Sequence, residues 1–372
     1  MRVLHVTESA QGGVGTYLAE ILPSQERRYG ASNVRALVPR QHAAHLSGVD
    51  RHMLATWDRQ DRSALGLLRL TAAIRREIAA FAPTVVHAHS SIAGGVVRLM
   101  HGGRRPFRIV YCPHGWAFDR RSSAMKRRLV ERIERRLASA ADAIVVISDH
   151  ERREGTRIGI EPARLALVLN GIADLPPAHS ARWDDERIKM LFVGRMDEQK
   201  GFDTLLDAVE PLRDRVALRV VGKAVAGPAM LSRTVREQVE YLGWRSLAEV
   251  ATEIAAADVV VIPSRWEGFG LVALEAMRGH CAVVASDVGG LREIVVEGVT
   301  GHLVPPDSPE RLMRVLALHD RGGWQAMGRA GRTRYEATFT ARRMNDELAA
   351  LYDGLVPSPA HGRVGLGDPV HA

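Results

Sequence analysis

The sequence predicts an α/β protein of two domains, each built on a doubly wound parallel sheet. Short runs of Val, Ile and Leu alternate with longer amphipathic runs, as in "TVVHAH", "SIAGGVVRLMHG" and "RIVYCPHG". A second series of such runs begins at "IKMLFVGR" and continues to "GHLVP". Continuous apolar strands separated by helices indicate parallel sheets covered on both faces, and 372 residues suffice for two domains.

Domain boundaries follow from changes in composition along the chain. The segment 173–187 contains two prolines and mixed charge, which is typical of a linker. We therefore expect one domain at 1–180 and a second at 181–340, followed by a helix at 341–355. The last residues, 356–372, are rich in Pro and Gly without periodicity, and predict a disordered tail.

Charge and cysteine content restrict the compartment and the partners. Lysine and arginine total 51 against 43 acidic residues, and this net charge of +8 favours phosphates, nucleic acid or an acidic membrane surface. Cys112 and Cys281 are far apart and fit a reducing compartment. The N-terminal apolar stretch is too short for a secretory signal, and no run approaches the ~18 residues of a membrane span. We expect a cytoplasmic protein, or one peripheral on the inner face of the cytoplasmic membrane.

Ligands of doubly wound sheets bind beyond the carboxyl ends of the strands, so residues directly after strands are the candidates for function. The first group is the turn "SAQGGVGTYLAE", which contains Gly13 and leads into a helix. Its spacing differs from the dinucleotide fingerprint, and the next strand ends in Pro39 and Arg40 without a carboxylate for a ribose. The turn indicates either close approach to an anion or sugar, or simply a tight turn.

A second turn, "FVGRMDEQKGFDTLL", follows a buried strand that ends at Gly194. It places Arg195 and Lys200 just before a helix that we expect to begin near Gly201. Two cations beside a helix N-terminus are suited to a diphosphate, although both side chains would also be ordinary as solvated loop charges. In "VYCPHGWAF", His114 occupies another turn after a strand and is either a structural histidine or a cleft residue.

The stretch "SRWEGFGLVALEAM" places Glu267 and Glu275 on either side of a glycine-rich helix start. The backbone amides of Phe269, Gly270 and Leu271 are expected to point out of the helix N-terminus, between the two carboxylates. The two carboxylates would form a general acid/base pair, clamp a polyhydroxylated ligand, or be unrelated helix and surface residues. The amides favour a ligand with a phosphate between two sugars. A further turn in "SDVGGLREIV" is expected to supply more amides to the same cleft.

Taken in order, these motifs resemble the retaining glycosyltransferases of family 4, which have the GT-B fold. The resemblance covers about residues 2–355 and includes "GGVG", "HAHS", "PHG", "VLNGI", "GRMDEQKGFDTLL", "EGFGLVALEAM" and "DVGGLREIV". It implies two Rossmann-like domains facing a cleft, with a C-terminal helix that crosses back to the N-terminal domain. The N-terminal domain would bind the acceptor and the C-terminal domain the sugar nucleotide.

The resemblance also implies a role for each candidate residue. Glu267 would bind hydroxyls of the transferred sugar, Glu275 those of the ribose, and His114 would lie against the donor sugar. The residues implied to bind the donor are Gly13, Gly194, Arg195, Lys200, Glu267, Gly268, Phe269, Gly270, Leu271 and Glu275. The residues implied in catalysis are His114, Arg195, Lys200 and Glu267.

The reaction implied is transfer of a hexosyl unit from a UDP- or GDP-sugar to a glycan or lipid-diphosphate-linked acceptor. The setting would be bacterial exopolysaccharide or lipopolysaccharide synthesis. Because the chain offers "RMDEQK" and no convincing Asp-x-Asp motif, we expect activity without a metal ion or other cofactor. A sugar-nucleotide epimerase of the same fold is the alternative. A nucleic-acid-binding protein is more remote, because aromatic residues are only 5% and no recognition motif is present.

The segment Arg120–Leu137 combines many arginines with an i, i+4 apolar stripe. The stripe consists of Met125, Leu129, Ile133 and Leu137. A basic amphipathic helix of this kind would lie on an anionic membrane surface, or it would be an ordinary helix whose stripe faces the core. A combination, with the stripe inward and the arginines toward lipid headgroups, is also open.

Overall fold

The computed structural model describes residues 1–46, 48–59, 63–100, 105–176, 179–223 and 238–356. Within these ranges the strands form two sheets, and all paired strands are parallel. The first sheet contains β1 Val3–Thr7, β2 Val34–Pro39, β3 Leu54–Trp57, β4 Val85–His89, β5 Arg108–Cys112, β6 Ala143–Val146 and β7 Leu165–Leu167. The second contains β8 Ile188–Val193, β9 Val216–Val221, β10 Val239–Gly243, β11 Val259–Ile262, β12 Ala282–Ser286 and β13 Gly301–Val304.

Helices connect these strands in both halves of the chain. The helices of the first half are α1 Gly13–Tyr29, α2 Ala64–Phe81, α3 Ser91–Met100, α4 Ala124–Ala138 and α5 Asp149–Arg157. Those of the second half are α6 Phe202–Val209, α7 Leu247–Ala256, α8 Leu271–Arg278, α9 Leu291–Ile294, α10 Pro309–Leu316, α11 Arg321–Thr338 and α12 Ala341–Leu355. Among the described helices, none is both long and apolar enough to cross a membrane.

The strand orders confirm the predicted doubly wound architecture. The first sheet runs β3-β2-β1-β4-β5-β6-β7 and the second β10-β9-β8-β11-β12-β13. In each sheet the order reverses once, between β1 and β4 and between β8 and β11, and such a switch point is where ligands of open α/β sheets bind. The predicted boundary at 180/181 falls between β7 and β8. Of the predicted tail, residues 357–372 lie outside the described ranges.

Helix α12 returns to the first domain, as the resemblance implied. It packs against α1, and the Tyr352 hydroxyl lies 2.6 Å from Nδ1 of His87 on β4. At the end of the helix, the side chain of Arg108 donates to the carbonyl of Leu355 at 3.1 Å. Tyr352 is fully buried, so the crossing helix forms part of the core beneath the first sheet.

Helix α4 does not turn its apolar stripe toward the core. Met125, Leu129 and Ile133 are 83%, 57% and 46% exposed, so the core-facing and combined alternatives are wrong for these three residues. The buried face instead carries Glu134, whose carboxylate pairs with Arg98 of α3 at 2.8 Å. Tyr111 also donates to Glu134, at 3.1 Å. The buried ion pair with Arg98 allows this charged face of α4 to pack inward, and the apolar stripe is left in solvent.

Candidate active site

The two domains meet along the carboxyl edges of their sheets, where the predicted glycine turns of one domain approach those of the other. A side chain placed on Gly13 would come within 3.8 Å of Cδ1 of Leu271. A side chain on Gly115 would come within 3.4 Å of the Cα of Gly268. Gly13 and Gly115 belong to the first domain, whereas Gly268 and Leu271 belong to the second. The structure therefore brings the candidate turns of both domains together across one narrow cleft.

Lys200 and Glu267 form a direct ion pair at this cleft. Both side chains are largely shielded, with 20% and 13% exposed, and the Ser264 hydroxyl lies 3.4 Å from the same carboxylate oxygen of Glu267. The loop that carries Lys200 sits close to the end of β11, because Gly201 has φ 61° and a side chain there would collide with the carbonyl of Pro263. The structure thus joins a residue predicted for the diphosphate with one predicted for the sugar.

Arg195 lies beside this pair but is engaged elsewhere. Its guanidinium donates to Gln199 at 2.9 Å and pairs with Asp197 at 3.0 Å, and half of the side chain is exposed. Gln199 in turn donates to the carbonyl of Trp266 at 3.2 Å. Arg195 therefore reaches the Glu267 turn through Gln199.

Helix α8 begins at Leu271, with Gly270 as its N-cap. The "DVGG" turn lies against the N-terminal end of α8. The amide of Gly290 donates to the carbonyl of Gly268 at 3.3 Å, so this amide is not offered to the cleft as predicted. Gly289 has φ 51°, and a side chain there would lie 1.8 Å from the carbonyl oxygen of Glu267. The role of this turn is to hold the Glu267–Leu271 backbone in place.

Glu275 is buried on α8. Burial raises its pKa to about 7, the cations Arg278 and Lys200 oppose this shift, and the carboxylate of Glu20 adds to it. Glu20 comes from α1 of the first domain, and burial also raises its pKa. Glu20 and Glu275 therefore influence each other across the domain interface, and the pKa of each is raised.

His114 lies in the turn after β5 with φ 52°, a strained conformation for a residue other than glycine. The next amide, that of Gly115, donates to the buried carboxylate of Glu151 at 2.5 Å, and the amide of Ile147 donates to the same group at 3.0 Å. Burial raises the pKa of Glu151 to about 8. For His114, burial lowers the pKa to about 3, so the imidazole is neutral at pH 7. His114 is thus a rigidly held, neutral group at the cleft.

Two acidic residues that hold the site together were missed by sequence reasoning. Glu151 anchors the His114 turn, and Glu293 links the domains. The carboxylate of Glu293 accepts hydrogen bonds from the amides of Asp149 and His150 at 2.7 and 2.6 Å, at the N-terminus of α5 in the other domain. Glu293 lies in "GGLREIV", where only its position after a strand-end glycine turn indicated a role. A second-domain residue therefore caps a first-domain helix.

Among the described residues, one cluster has the side chains to hold a metal ion. It consists of His5, His87 and His89, whose ring nitrogens lie within 4.8 Å of one another. All three side chains are buried in the first domain. The cluster contains no carboxylate and no thiolate.

Two parallel-sheet domains that face each other across glycine turns, cations and a helix N-terminus define the GT-B class of enzymes. The match to known domain families extends over most of the chain. Residues 12–171 match the glycosyl transferase 4-like domain, and residues 187–318 match the domain of the glycosyl transferases group 1. The chain belongs to the group 1 glycosyltransferases of GT-B type.

Relatives differ in how much of the chain they share. An uncharacterised 41.2 kDa protein in the cps region of Klebsiella pneumoniae is 26% identical over 365 residues, which are 95% of this chain and 99% of that protein. D-inositol 3-phosphate glycosyltransferase of Mycobacterium bovis is 35% identical over 244 residues, 59% of this chain. That match spans half the length of the mycobacterial protein.

Solved structures share the fold at low sequence identity. Sucrose-phosphate synthase from Thermosynechococcus elongatus has a TM-score of 0.82 and 21% identity, covering 95% of this chain and 99% of that one. The Anabaena protein HepE in complex with UDP-glucose has a TM-score of 0.77 and 20% identity, covering 95% and 100%. These similarities support the GT-B architecture.

Proposed function

We propose that this protein transfers a hexosyl unit from a UDP- or GDP-sugar to a glycan or lipid-diphosphate-linked acceptor, with retention of anomeric configuration. The observation that carries the proposal is the Lys200–Glu267 pair, which lies at the cleft beside the α8 N-terminus. The complex of HepE with UDP-glucose supports a nucleotide-sugar donor in a cleft of this architecture. Membership of the glycosyltransferase family favours group transfer over epimerisation and over nucleic-acid binding.

The donor would lie along α8, from the nucleotide to the sugar. Glu275 would accept hydrogen bonds from the ribose hydroxyls, and the amides at Phe269–Leu271 would contact a phosphate. Glu267 would accept hydrogen bonds from the transferred sugar, with His114 on the opposite, first-domain side. The separation of the two carboxylates along one helix start makes them clamps at either end of a ligand. A glycosidase pair would instead flank a single bond.

Lys200 and Arg195 would stabilise the leaving diphosphate. Breaking the bond between sugar and diphosphate builds negative charge on the phosphate, and cations fixed before the reaction contribute most where charge develops. Lys200 is paired with Glu267, and the incoming diphosphate would offer it a second anion. With these cations and the α8 amides at the leaving group, we propose a reaction that requires no metal ion or other cofactor.

A panel of UDP- and GDP-sugars, assayed in excess chelator with a glycan or polyprenyl-diphosphate acceptor, tests this function. We expect one donor to give acceptor-dependent release of the nucleoside diphosphate, with the same anomeric configuration in product and donor. Conversion of a donor to its epimer without release would identify an epimerase. Loss of turnover in chelator, restored by a divalent ion, would overturn the metal-independent mechanism.

We further propose that the acceptor is presented at an anionic membrane surface, with α4 as the contact. The exposed side chains of Met125, Leu129 and Ile133 form a continuous apolar stripe on a helix whose other exposed residues are mainly arginines. A helix with such a stripe and a basic flank binds at the headgroup boundary. The setting would be exopolysaccharide or lipopolysaccharide assembly, consistent with a relative in a cps region.

An arginine-lined depression of about 600 Å³ adjoins α4 on the side of the cleft. Its lining includes Arg120, Arg121, Arg127, Arg128 and Arg157, together with the acidic residues Asp119, Glu131 and Glu154. Arg121 also lies 3.3 Å from Glu198 of the second domain, so the depression reaches the domain interface. Guanidinium groups bind phosphate in a bidentate manner, which suits the diphosphate of a lipid-linked acceptor.

Co-sedimentation with vesicles tests the membrane contact. Wild-type protein is expected to bind vesicles that contain anionic lipid more strongly than neutral ones. Replacing Met125, Leu129 and Ile133 with serine should abolish that binding. Leu318 and Val299 are 60% and 53% exposed in the second domain, and their replacement with serine is the matched control. Equal recovery with neutral and anionic vesicles would remove the membrane proposal and leave the transfer reaction untouched.

A further inference from the structure

A row of buried imidazoles connects the core of the first domain to the cleft. His5 lies on β1, His89 lies on β4, and His114 follows β5, so the three side chains come from adjacent strands of one sheet. His5 and His89 are fully buried, and His114 is half-buried at the cleft. The other end of the row is Gln25, which is buried on α1.

Three consecutive hydrogen bonds join these four residues. Oε1 of Gln25 lies 2.8 Å from Nε2 of His5, and Nδ1 of His5 lies 3.0 Å from Nε2 of His89. Nδ1 of His89 lies 2.9 Å from Nε2 of His114. His5 and His89 therefore use both ring nitrogens within the row, and only Nδ1 of His114 is left outside it.

All three imidazoles are neutral at pH 7. Burial lowers the pKa of His5 to about 4, that of His114 to about 3, and that of His89 well below its usual value. A neutral imidazole has one N–H and one lone pair, so each ring that accepts at one nitrogen must donate at the other. The direction of the first hydrogen bond consequently sets the direction of all three.

In the structure the amide of Gln25 is oriented with its carbonyl toward His5 and with its Nε2 buried and without a hydrogen-bond partner among the described residues. In this orientation the carbonyl sets the direction of the row. It has no proton, so Nε2 of His5 donates to it and Nδ1 of His5 accepts from His89. By the same rule, Nδ1 of His89 accepts from Nε2–H of His114. We propose that Gln25, His5 and His89 are positioning residues that fix the tautomer of His114, so that its Nδ1 is a hydrogen-bond acceptor for a hydroxyl of the donor sugar.

This assignment gives His114 a role in binding and orientation rather than in proton donation. A sugar hydroxyl can donate to the Nδ1 lone pair, whereas the other tautomer would present an N–H there. A neutral ring that cannot readily protonate also does not compete with Lys200 for the leaving phosphate. The tautomer can be measured on the free protein, whereas its consequence for transfer rests on the proposed function.

A metal ion is the rival explanation for the same histidines. Both ring nitrogens of His5 and of His89 are engaged in the row, so a metal ion held by these two residues would displace at least one of its hydrogen bonds. A divalent ion would also be buried among neutral ligands without a balancing carboxylate, which is costly. The hydrogen-bonded row accounts for both nitrogens of His5 and of His89 without that cost.

Long-range ¹⁵N–¹H correlation spectra of the ring nitrogens test the tautomer directly. We expect His114 to show a single Nε2–H tautomer in the wild-type protein, with its signals identified by their loss in His114→Gln. A protonated Nδ1 on His114 in the wild type would overturn the proposal. One equivalent of bound zinc that is lost in His5→Asn would overturn it as well.

The variant Gln25→Leu tests whether Gln25 sets the tautomer of His114 through the row. Without the carbonyl, Nε2 of His5 loses its acceptor, and the favoured arrangement reverses so that His114 gains an Nδ1–H signal. We expect kcat/KM for the donor to fall about fivefold, as for the loss of one hydrogen bond to the bound sugar. Tyr17→Phe is the control, because its ring contacts His114 while its buried hydroxyl has no hydrogen-bond partner among the described residues.

The spectra of the variants can contradict the proposed control of the His114 tautomer by Gln25. An unchanged His114 tautomer in Gln25→Leu would overturn the proposal, and so would an equal change in Tyr17→Phe. If Gln25→Leu does not fold, Gln25→Met removes the same carbonyl with a flexible side chain, and the wild-type spectrum still decides the tautomer. If the His114 tautomer changes and transfer from the donor does not, the proposed role of Nδ1 toward the donor sugar is wrong. Control of the tautomer by Gln25 would still be supported.

Discussion

Replacing Glu275 with glutamine should stabilise the ligand-free protein, and by more at pH 8 than at pH 5. The carboxyl group is buried on α8, and burial raises its pKa from 4.5 to about 7. Between these two values the folded protein retains a proton that the unfolded chain has released. Stability is therefore lost as the pH rises through this interval, because the folded state binds more protons than the unfolded state.

The size of the effect follows from the same interval. At about 1.4 kcal/mol per pKa unit, a rise from 4.5 to about 7 corresponds to at most about 3 to 4 kcal/mol at pH 8. Glutamine has the shape of the neutral acid and does not pay this cost. The stabilities of the two proteins should be similar at pH 5 and diverge until the pH exceeds about 7.

Thermal denaturation from pH 5 to pH 8, without nucleotide, measures this divergence. Glu310→Gln is the control, because Glu310 is exposed on α10 and its loss removes a carboxylate without relieving burial. We expect the midpoint of Glu275→Gln to rise relative to wild type by several degrees across this range. Parallel pH profiles for wild type and variant would refute the reasoning that burial sets the pKa of Glu275.

Three further changes address the rest of the cleft. Lys200→Ala should lower kcat about 10²-fold with a smaller effect on the donor KM, and wild-type steady-state kinetics would contradict its role at the leaving group. Gly289→Ala should destabilise the fold and weaken donor binding, because a side chain there meets the Glu267 carbonyl at 1.8 Å. Denaturation measures the stability and calorimetry the donor binding. Gly298→Ala is the control for both, because Gly298 also has a positive φ but a side chain there would meet no atom within 4 Å. Glu293→Ala should raise the donor KM and the radius of gyration in solution scattering, since it uncaps α5 across the domain interface; an unchanged radius would contradict that link.

Much of the fold was predictable because parallel strands carry a strong local signal. Runs such as "VVVIP" and "KMLFV" are apolar throughout, and the residues that follow them lie at one edge of the sheet whatever the details of packing. That is why the sequence located Gly13, His114, Lys200 and Glu267 at the cleft. Their roles toward a donor remain predictions.

The missed features depend on pairing between distant segments. Glu134 stands on the inner face of α4 only because Arg98, 36 positions earlier, neutralises it. Without that partner, the apolar stripe is the natural choice for the buried face, so periodicity alone indicated the wrong side. The imidazole row likewise requires His5 and His89 to occupy neighbouring strands, which the order of β1 and β4 establishes and the chain order does not.

The central claim is that the cleft binds a sugar nucleotide along α8, with Glu275 at the ribose. The most direct test is a double-mutant cycle by calorimetry, using the nucleoside diphosphate that binds and its 2′,3′-dideoxy analogue. Wild-type protein and Glu275→Leu are the two protein forms. We predict that removing the ribose hydroxyls weakens binding to the wild type about tenfold and hardly affects the variant, a coupling of roughly 1.5 kcal/mol. Independent, additive losses from the two changes would contradict the placement of the ribose at Glu275.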